Sequence, residues 1–430
     1  MRCNKPNASK TLMPMKLTLL FFCLFLFSGS ACGQDRAARW EEDIDLLEKE
    51  LPKRHNDFYR HYSEPDFHSA LDSLRTALPG LEDWAVLLRL QEIICRAGDS
   101  HTSVFSDVVS NGPVFPLSLY WFKEGLFVLG ASAVSSQDTL LGKQLLAING
   151  IPIEEVAARA ARLLVAENES IVRHRLPNLL PSWYLLSYVG VVDGASAIFT
   201  FQDTNGYTFN LPLESVPLAS FKSALVRYKP ASYAFSERDN RSVFWREYLE
   251  EEQCLYIRYN RCTSREVEKK YGSKKRAKQQ PSFENFEKGI LSTLAEKPVH
   301  KLVFDVRNNP GGSSPQGARL ARQIGQAYKG KVYAVIGRRT FSSAVLNTLD
   351  FQEHCGATLV GEPTSGRPNH FGEVKTFELP NSKATVSYST QYFKRVEGDP
   401  ATLEPDVRVE LSFNEFNRGV DPVWEYIKRQ

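Results

Sequence analysis

The chain reads as an α+β multidomain protein: an N-terminal helical segment, a β-rich middle and a C-terminal α/β unit with a mainly parallel sheet. Three observations predict this. Its 430 residues are too many for one ordinary core. Apolar residues recur every three to four positions in the first hundred residues and at strand spacing in the middle. After Cys254, strands and helices alternate strictly, the pattern of a parallel sheet with helices on its faces. A composition of 42% hydrophobic and 24% charged residues is globular and excludes disorder and a multi-span membrane protein. A formal charge of +3 gives no case for a nucleic-acid partner.

The first 31 residues read as a signal peptide rather than as fold. Lys10 and Lys16 precede an apolar run, Leu17 to Phe27, and the small residues Ser28, Gly29, Ser30 and Ala31 follow. The run is about 11 residues, against ~20 for a membrane span. Cys32 comes next, and the segment resembles a bacterial lipoprotein signal, although Gly29 stands where a larger aliphatic residue is usual. That resemblance implies export to the bacterial cell envelope with membrane anchoring through a lipidated Cys32; simple cleavage and secretion is the alternative. Cys95, Cys254, Cys262 and Cys355 remain and read as buried thiols. No CxxC or HExxH spacing occurs, so neither metal nor cofactor is expected, and His55 and His61 read as surface or packing residues.

Residues 32–110 form the helical domain. Trp40, Ile44, Leu47 and Leu51 mark one helix face and Leu71, Leu74 and Leu78 another, with breaks at Pro65 and Pro79-Gly80. The run Ala97-Gly98-Asp99-Ser100-His101-Thr102 is a turn leading into a strand at Ser103 to Phe105. In residues 111–220, Leu126 to Leu129, Gln144 to Ile148 and Ala197 to Phe201 read as strands, Asn149-Gly150 as a tight turn and Ile153 to Leu164 as a helix. The stretch from Leu141 to Gly150 resembles the closing strands and turn of a PDZ domain, which implies binding of peptide C-termini by strand addition.

Residues 221–430 hold the α/β unit. Cys254 to Tyr259 is its first strand, and the basic run Arg265 to Lys278 reads as a solvated, mobile loop. Ser282 is placed to cap a helix bearing Phe283, Phe286, Ile290 and Leu294. Strands at Lys301 to Val306, Val332 to Ile336 and Ala357 to Val360 alternate with helices at Pro315 to Ala327 and Ser343 to His354. Reactive groups in such sheets gather beyond the carboxyl ends of the strands, where three motifs fall. Asn308-Asn309-Pro310-Gly311-Gly312 lets backbone amides approach a ligand. Arg338 to Ala344 ends a strand and opens a helix, where a serine points its hydroxyl into the cleft and the next amide can hold an oxyanion. Gly361-Glu362-Pro363-Thr364-Ser365-Gly366 flanks the same cleft.

In that order the motifs resemble the C-terminal processing (tail-specific) serine peptidases, over residues 36 to about 410, with the closing Leu403-Glu404-Pro405-Asp406-Val407 included. The resemblance implies a ClpP/crotonase-like catalytic domain and hydrolysis of a peptide or protein substrate. It implies Ser342 as nucleophile and the amides of Ser343 and of Gly311 or Gly312 as oxyanion donors. Members with a Ser–Lys dyad carry their lysine just after the GEPTxG loop; here that residue is Arg367, which stays protonated and cannot serve as a base. Lys375 is more distant in sequence. The tricorn-core-like branch instead places a Ser-His pair at the end of its helical region, matched by Ser100-His101, and an acid before the final Pro-Asp, matched by Glu397 or Asp399. An imidazole suits proton transfer near neutrality. His370 is the rival base, and a catalytically inactive peptide-binding lipoprotein is the alternative function.

Overall fold

The N-terminal periodicity folds as helices α1 (Leu19–Arg54), α2 (Glu64–Ala77) and α3 (Asp83–Cys95) in a computed structural model that describes residues 19–132, 140–165 and 167–430, with side chains from Asp35 onward. Lys10, Lys16 and the side chain of Cys32 lie outside the described residues, as do the side chains of the signal-like run. No helix among the described residues is long and apolar enough to cross a membrane. Pro65 sits in the first turn of α2, where its missing N–H costs nothing, and Ser63 caps that helix by accepting from the Asp66 amide. Trp40, Ile44, Leu47 and Leu51 meet Leu71, Leu74 and Leu78 in one apolar core. Leu379, Ala384, Val386 and Tyr388, more than three hundred residues on in the chain, complete it.

After β1 (Ser103–Phe105) comes an antiparallel sheet of β2 (Leu117–Phe122), β3 (Gly125–Ser132), β4 (Gln144–Ile148), β5 (Ile151–Pro152), β6 (Ser196–Gln202), β7 (Thr208–Glu214) and β8 (Leu225–Arg227). Its order is β2-β3-β4-β6-β7, with β5 on β4 and β8 on β3. Asn149 and Gly150 take positive φ angles of 49° and 76°, as a two-residue hairpin between β4 and β5 requires. Helices α4 (Ile153–Ala161) and α5 (Glu169–Leu179) bury Ile153, Val156, Ala160 and Leu176 against Leu145, Ile148 and Phe199 of the sheet.

The third unit is a six-stranded sheet of order β16-β13-β12-β11-β10-β9, from β9 (Phe244–Leu249), β10 (Cys254–Tyr259), β11 (Lys301–Asp305), β12 (Lys331–Ile336), β13 (Thr358–Gly361) and β16 (Val407–Arg408). Only the edge strand β9 runs antiparallel. The crossover helices are α6 (Phe283–Glu296), α7 (Pro315–Ala327) and α8 (Ser343–Cys355). Strand alternation splits β10 between two cores. Leu255, Ile257 and Tyr259 join Phe286, Leu320 and Phe351 of the helices, while Cys254 and Tyr256 join Val423, Trp424 and Ile427 of the C-terminal helix Pro422–Lys428. Arg258 is fully buried in the sheet and tolerable there because Asp305 pairs with its Nη1, and Asn260 and Asn240 accept from its Nε and Nη2.

The basic run corrects the expectation of a loop. It folds as two short helices, Arg265–Tyr271 and Lys274–Gln279, capped by Ser264 and Ser273 and joined by a Glu268–Arg276 ion pair of 2.8 Å. A hairpin of β14 (His370–Glu378) and β15 (Thr385–Phe393) leaves this unit, and β15 pairs with β1. That pairing carries the Ser100-His101 turn toward the carboxyl ends of β11, β12 and β13.

Candidate active site

The chain bends sharply between β12 and α8. Ser342, the N-cap of α8, has φ 52° and ψ −126°, a conformation that residues with a Cβ rarely adopt, and its hydroxyl caps nothing. The bend is held from both sides by backbone. Phe341 N donates to Asn309 O at 3.1 Å and Gly366 N to Thr340 O at 3.2 Å. Thr340 Oγ1 donates to Val306 O at 2.9 Å and accepts from Gly337 N at 3.0 Å. A Cβ on Gly311 would stand 2.9 Å from Ser342 Cβ and from Phe341 O, and one on Gly366 would stand 2.9 Å from Ser342 N. The three motifs therefore meet at Ser342, and the glycines are needed for that approach.

The amides beside Ser342 sort themselves by their partners. Gly311 N is taken by Asn309 Oδ1 at 2.9 Å, whereas Gly312 N–H has no acceptor among the described residues. Ser343 N–H begins α8 and has no partner within the helix. Ser343 Oγ donates to Gly312 O at 2.7 Å, so its hydroxyl is committed and only its amide is free. Of the two glycine alternatives, only Gly312 therefore keeps an amide without an acceptor among the described residues.

His101 lies across this turn. Its ring stacks on Phe341 at 4.6 Å, one residue before Ser342, and stands 5.8 Å from the ring of His370. Nδ1 of His101 is 3.6 Å from Asp99 Oδ1 and otherwise unpartnered. Asp99 also accepts from His101 N at 2.9 Å, Thr102 Oγ1 at 2.5 Å and His55 Nε2 at 3.1 Å. His55 Nδ1 accepts from Asp57 N at 3.0 Å, which leaves the ring proton on Nε2, directed at Asp99. Burial alone would raise the Asp99 pKa, but the bonds from His101 and His55 hold it well below the usual carboxylate range. His370 donates through Nδ1 to Arg367 O at 2.8 Å; burial first, then the neighbouring His101, push its pKa down to about 4.

The remaining predicted residues fall elsewhere. Asp399 pairs with Arg367, carboxylate to guanidinium at 2.7 Å, and has no contact with His101. Glu397 is 96% exposed and faces Lys394 at 3.7 Å. Neither acid lies beside His101; Asp99 does, at 3.6 Å. Lys375 is exposed on β14. Ser100 is buried and meets Glu167 through both its N–H, which donates at 3.1 Å, and its hydroxyl, while its carbonyl accepts from Arg175 at 3.4 Å. Sequence reasoning missed Asp99, His55, Glu167 and Arg175. Only Asp99 had a signal, its place two residues before His101. Glu167 is pushed up to about 7, chiefly by burial and against the attraction of Arg367. Among the described residues no group of histidines, cysteines and carboxylates could hold a metal.

The arrangement offers a hydroxyl at a strained turn, two free amides beside it and an imidazole backed by a buried carboxylate. No family model matches the chain, and none of the curated proteins does. Among solved structures it is similar to mature CPAF, with a TM-score of 0.63 at 14% identity over 93% of this chain and 97% of that one. A complex of mature CPAF with lactacystin gives 0.62 at 14% identity, over 93% and 98%. The chain thus shares the fold of mature CPAF over nearly its whole length. The photosystem II D1 C-terminal processing protease is also similar, at a TM-score of 0.36 and 13% identity over 90% and 98%, too low to bear on the fold.

Proposed function

We propose that the chain is a serine-type peptidase that hydrolyses peptide bonds through an acyl-enzyme on Ser342. The observation that carries this reading is the positive-φ turn at Ser342, with the free amides of Ser343 and Gly312 beside it and His101 stacked on Phe341. The Ser342 hydroxyl attacks the substrate carbonyl while His101 takes its proton, and Asp99 orients the ring and stabilises the imidazolium. The two amides hold the oxyanion, each worth ~10²–10³ in rate. His101 then returns the proton to the leaving amine, and water releases the acyl group. Residues 32–110 supply the base, residues 221–430 the nucleophile and the PDZ-like residues 111–220 a groove for an extended peptide. Export and lipidation at Cys32 belong to the same proposal.

A fluorophosphonate probe tests it. Wild type should label, Ser342→Ala should not, and His101→Ala should label ~10²-fold or more slowly. Persistent labelling of Ser342→Ala would remove the nucleophile. Radiolabelled palmitate should enter wild type in cells but not Cys32→Ser. A second reading, a silent peptide-binding relative, draws on Arg367, which stands where dyad members keep their lysine and is neutralised by Asp399. Peptide binding with no labelling of wild type would favour it.

A further inference from the structure

The start of α5, in the β-rich middle unit, reaches both halves of the site. Ser100, one residue before His101, has both backbone groups taken from this side: its N–H donates to Glu167 Oε1 at 3.1 Å and its carbonyl accepts from Arg175 at 3.4 Å. The Ser100 hydroxyl also bonds the Glu167 carboxyl. Arg175 lies over the Phe341 ring at 5.3 Å, one residue before Ser342, with the charges of Glu167 and Asp99 facing it. Asn168 is the cap of α5. Its Oδ1 accepts from Ile171 N at 2.9 Å, and its Nδ2 donates to Ser365 O at 3.2 Å and to Ala401 O at 2.7 Å. Ser365 precedes Gly366, whose N–H closes the Ser342 turn on Thr340 O at 3.2 Å.

His101 and Ser342 come from segments far apart in sequence, and the pairing that joins them, β1 on β15, is only three residues long. So short a ladder fixes the direction of approach but leaves the turn before β1 room to shift. Proton transfer does not tolerate that freedom, since a misplacement of ~1 Å costs ~10²-fold in rate. Glu167 and Asn168 are adjacent, and each grips one of the two turns. Burial raises the Glu167 carboxyl to about 7 against the attraction of Arg367, so near neutrality much of it is uncharged and it serves Ser100 as an acceptor.

We infer that Glu167 and Asn168 are positioning residues, two halves of one bracket that holds the His101 turn in register with the Ser342 turn. The β-rich unit is then part of the catalytic assembly as well as a groove for substrate. The inference rests on the peptidase reading for its catalytic meaning, while the two grips can be measured without it.

The test pairs a small probe with hydrogen exchange, both on the full chain. A fluorophosphonate is too small to need a groove for an extended peptide, so its labelling rate reads the serine and its base alone. Glu167→Ala and Asn168→Ser should each slow labelling about tenfold or more, and lower kcat with KM held within about twofold. Serine caps a helix as asparagine does but cannot reach the two carbonyls, so Asn168→Ser remains informative if Glu167→Ala misfolds. Glu167→Gln keeps an oxygen for the Ser100 amide and should recover most of the loss. Exchange in peptides covering 97–103 and 363–367 should speed up in both segments in either variant, because the bracket is shared. A rise in KM with labelling unchanged, a glutamine variant as slow as alanine, or faster exchange only in the segment each residue touches overturns the bracket. If wild type does not label, the peptidase reading fails and the exchange result alone decides the bracket.

Discussion

Replacing Ser342 by glycine and by alanine separates chemistry from backbone strain at the same atom. At φ 52° and ψ −126°, any residue with a Cβ pays a conformational cost of ~1–3 kcal/mol in the folded state. Glycine escapes that cost but loses more freedom on folding, by ~0.5–1 kcal/mol. The net expectation is that Ser342→Gly is more stable than Ser342→Ala by about 0–2.5 kcal/mol, against the usual order. The Ser342 hydroxyl caps nothing, so Ser342→Ala should lie within about 0.5 kcal/mol of wild type. Urea unfolding followed by tryptophan fluorescence reads both differences from the midpoints, provided the slopes agree. Both variants should be inert to a fluorophosphonate. An alanine variant more stable than the glycine variant by ~0.5–1 kcal/mol would refute the reasoning, since it would mean that no strain is held at the turn.

Asp99→Asn puts N–H groups where three buried donors need an acceptor, so at least one of the bonds from His55, Thr102 or the His101 amide is lost, at a cost of about 1–3 kcal/mol in thermal or urea unfolding. The same substitution should lower turnover more than it lowers substrate affinity, which steady-state kinetics reads as a fall in kcat. His370, held at about 4 when folded, refuses a proton that the unfolded chain accepts near ~6.5, so its stabilising contribution is full above that pH and is lost as pH falls toward 4. Glu167, raised to about 7, acts in the opposite sense, so the check is the difference between wild type and His370→Gln at pH 7 and pH 5, expected to change by about 2 kcal/mol. Cys95, Cys254 and Cys262 are buried and pushed up to about 12 by desolvation, so a thiol reagent should reach them only after unfolding.

Element existence was legible because it rests on local periodicity and caps. The α/β alternation after Cys254 appears where the pattern puts it, with Ser282 capping α6 through the Asn285 amide and Pro315 opening α7. The basic run was misread because its charge was weighed and its serine caps were not. Of the four thiols expected to be buried, Cys95, Cys254 and Cys262 are, while Cys355, at the end of α8, is only partly so.

The sequence by itself determined that a glycine pair, a serine before a helix and a proline-containing loop follow successive strands, since each reports a backbone requirement that neighbours along the chain express; the choice of Ser342 among the serines there came from the resemblance. Only the tertiary structure decided what surrounds that serine. His101 arrives because β1 pairs with β15, and the helical core is completed by Leu379, Ala384 and Val386 from the same hairpin. Asp99 in place of Asp399 as the partner of His101, and Arg175 between the two turns, follow from contacts between segments far apart in sequence. Such contacts leave no periodicity to read, because the burial and charge that govern them exist only once the chain has closed on itself.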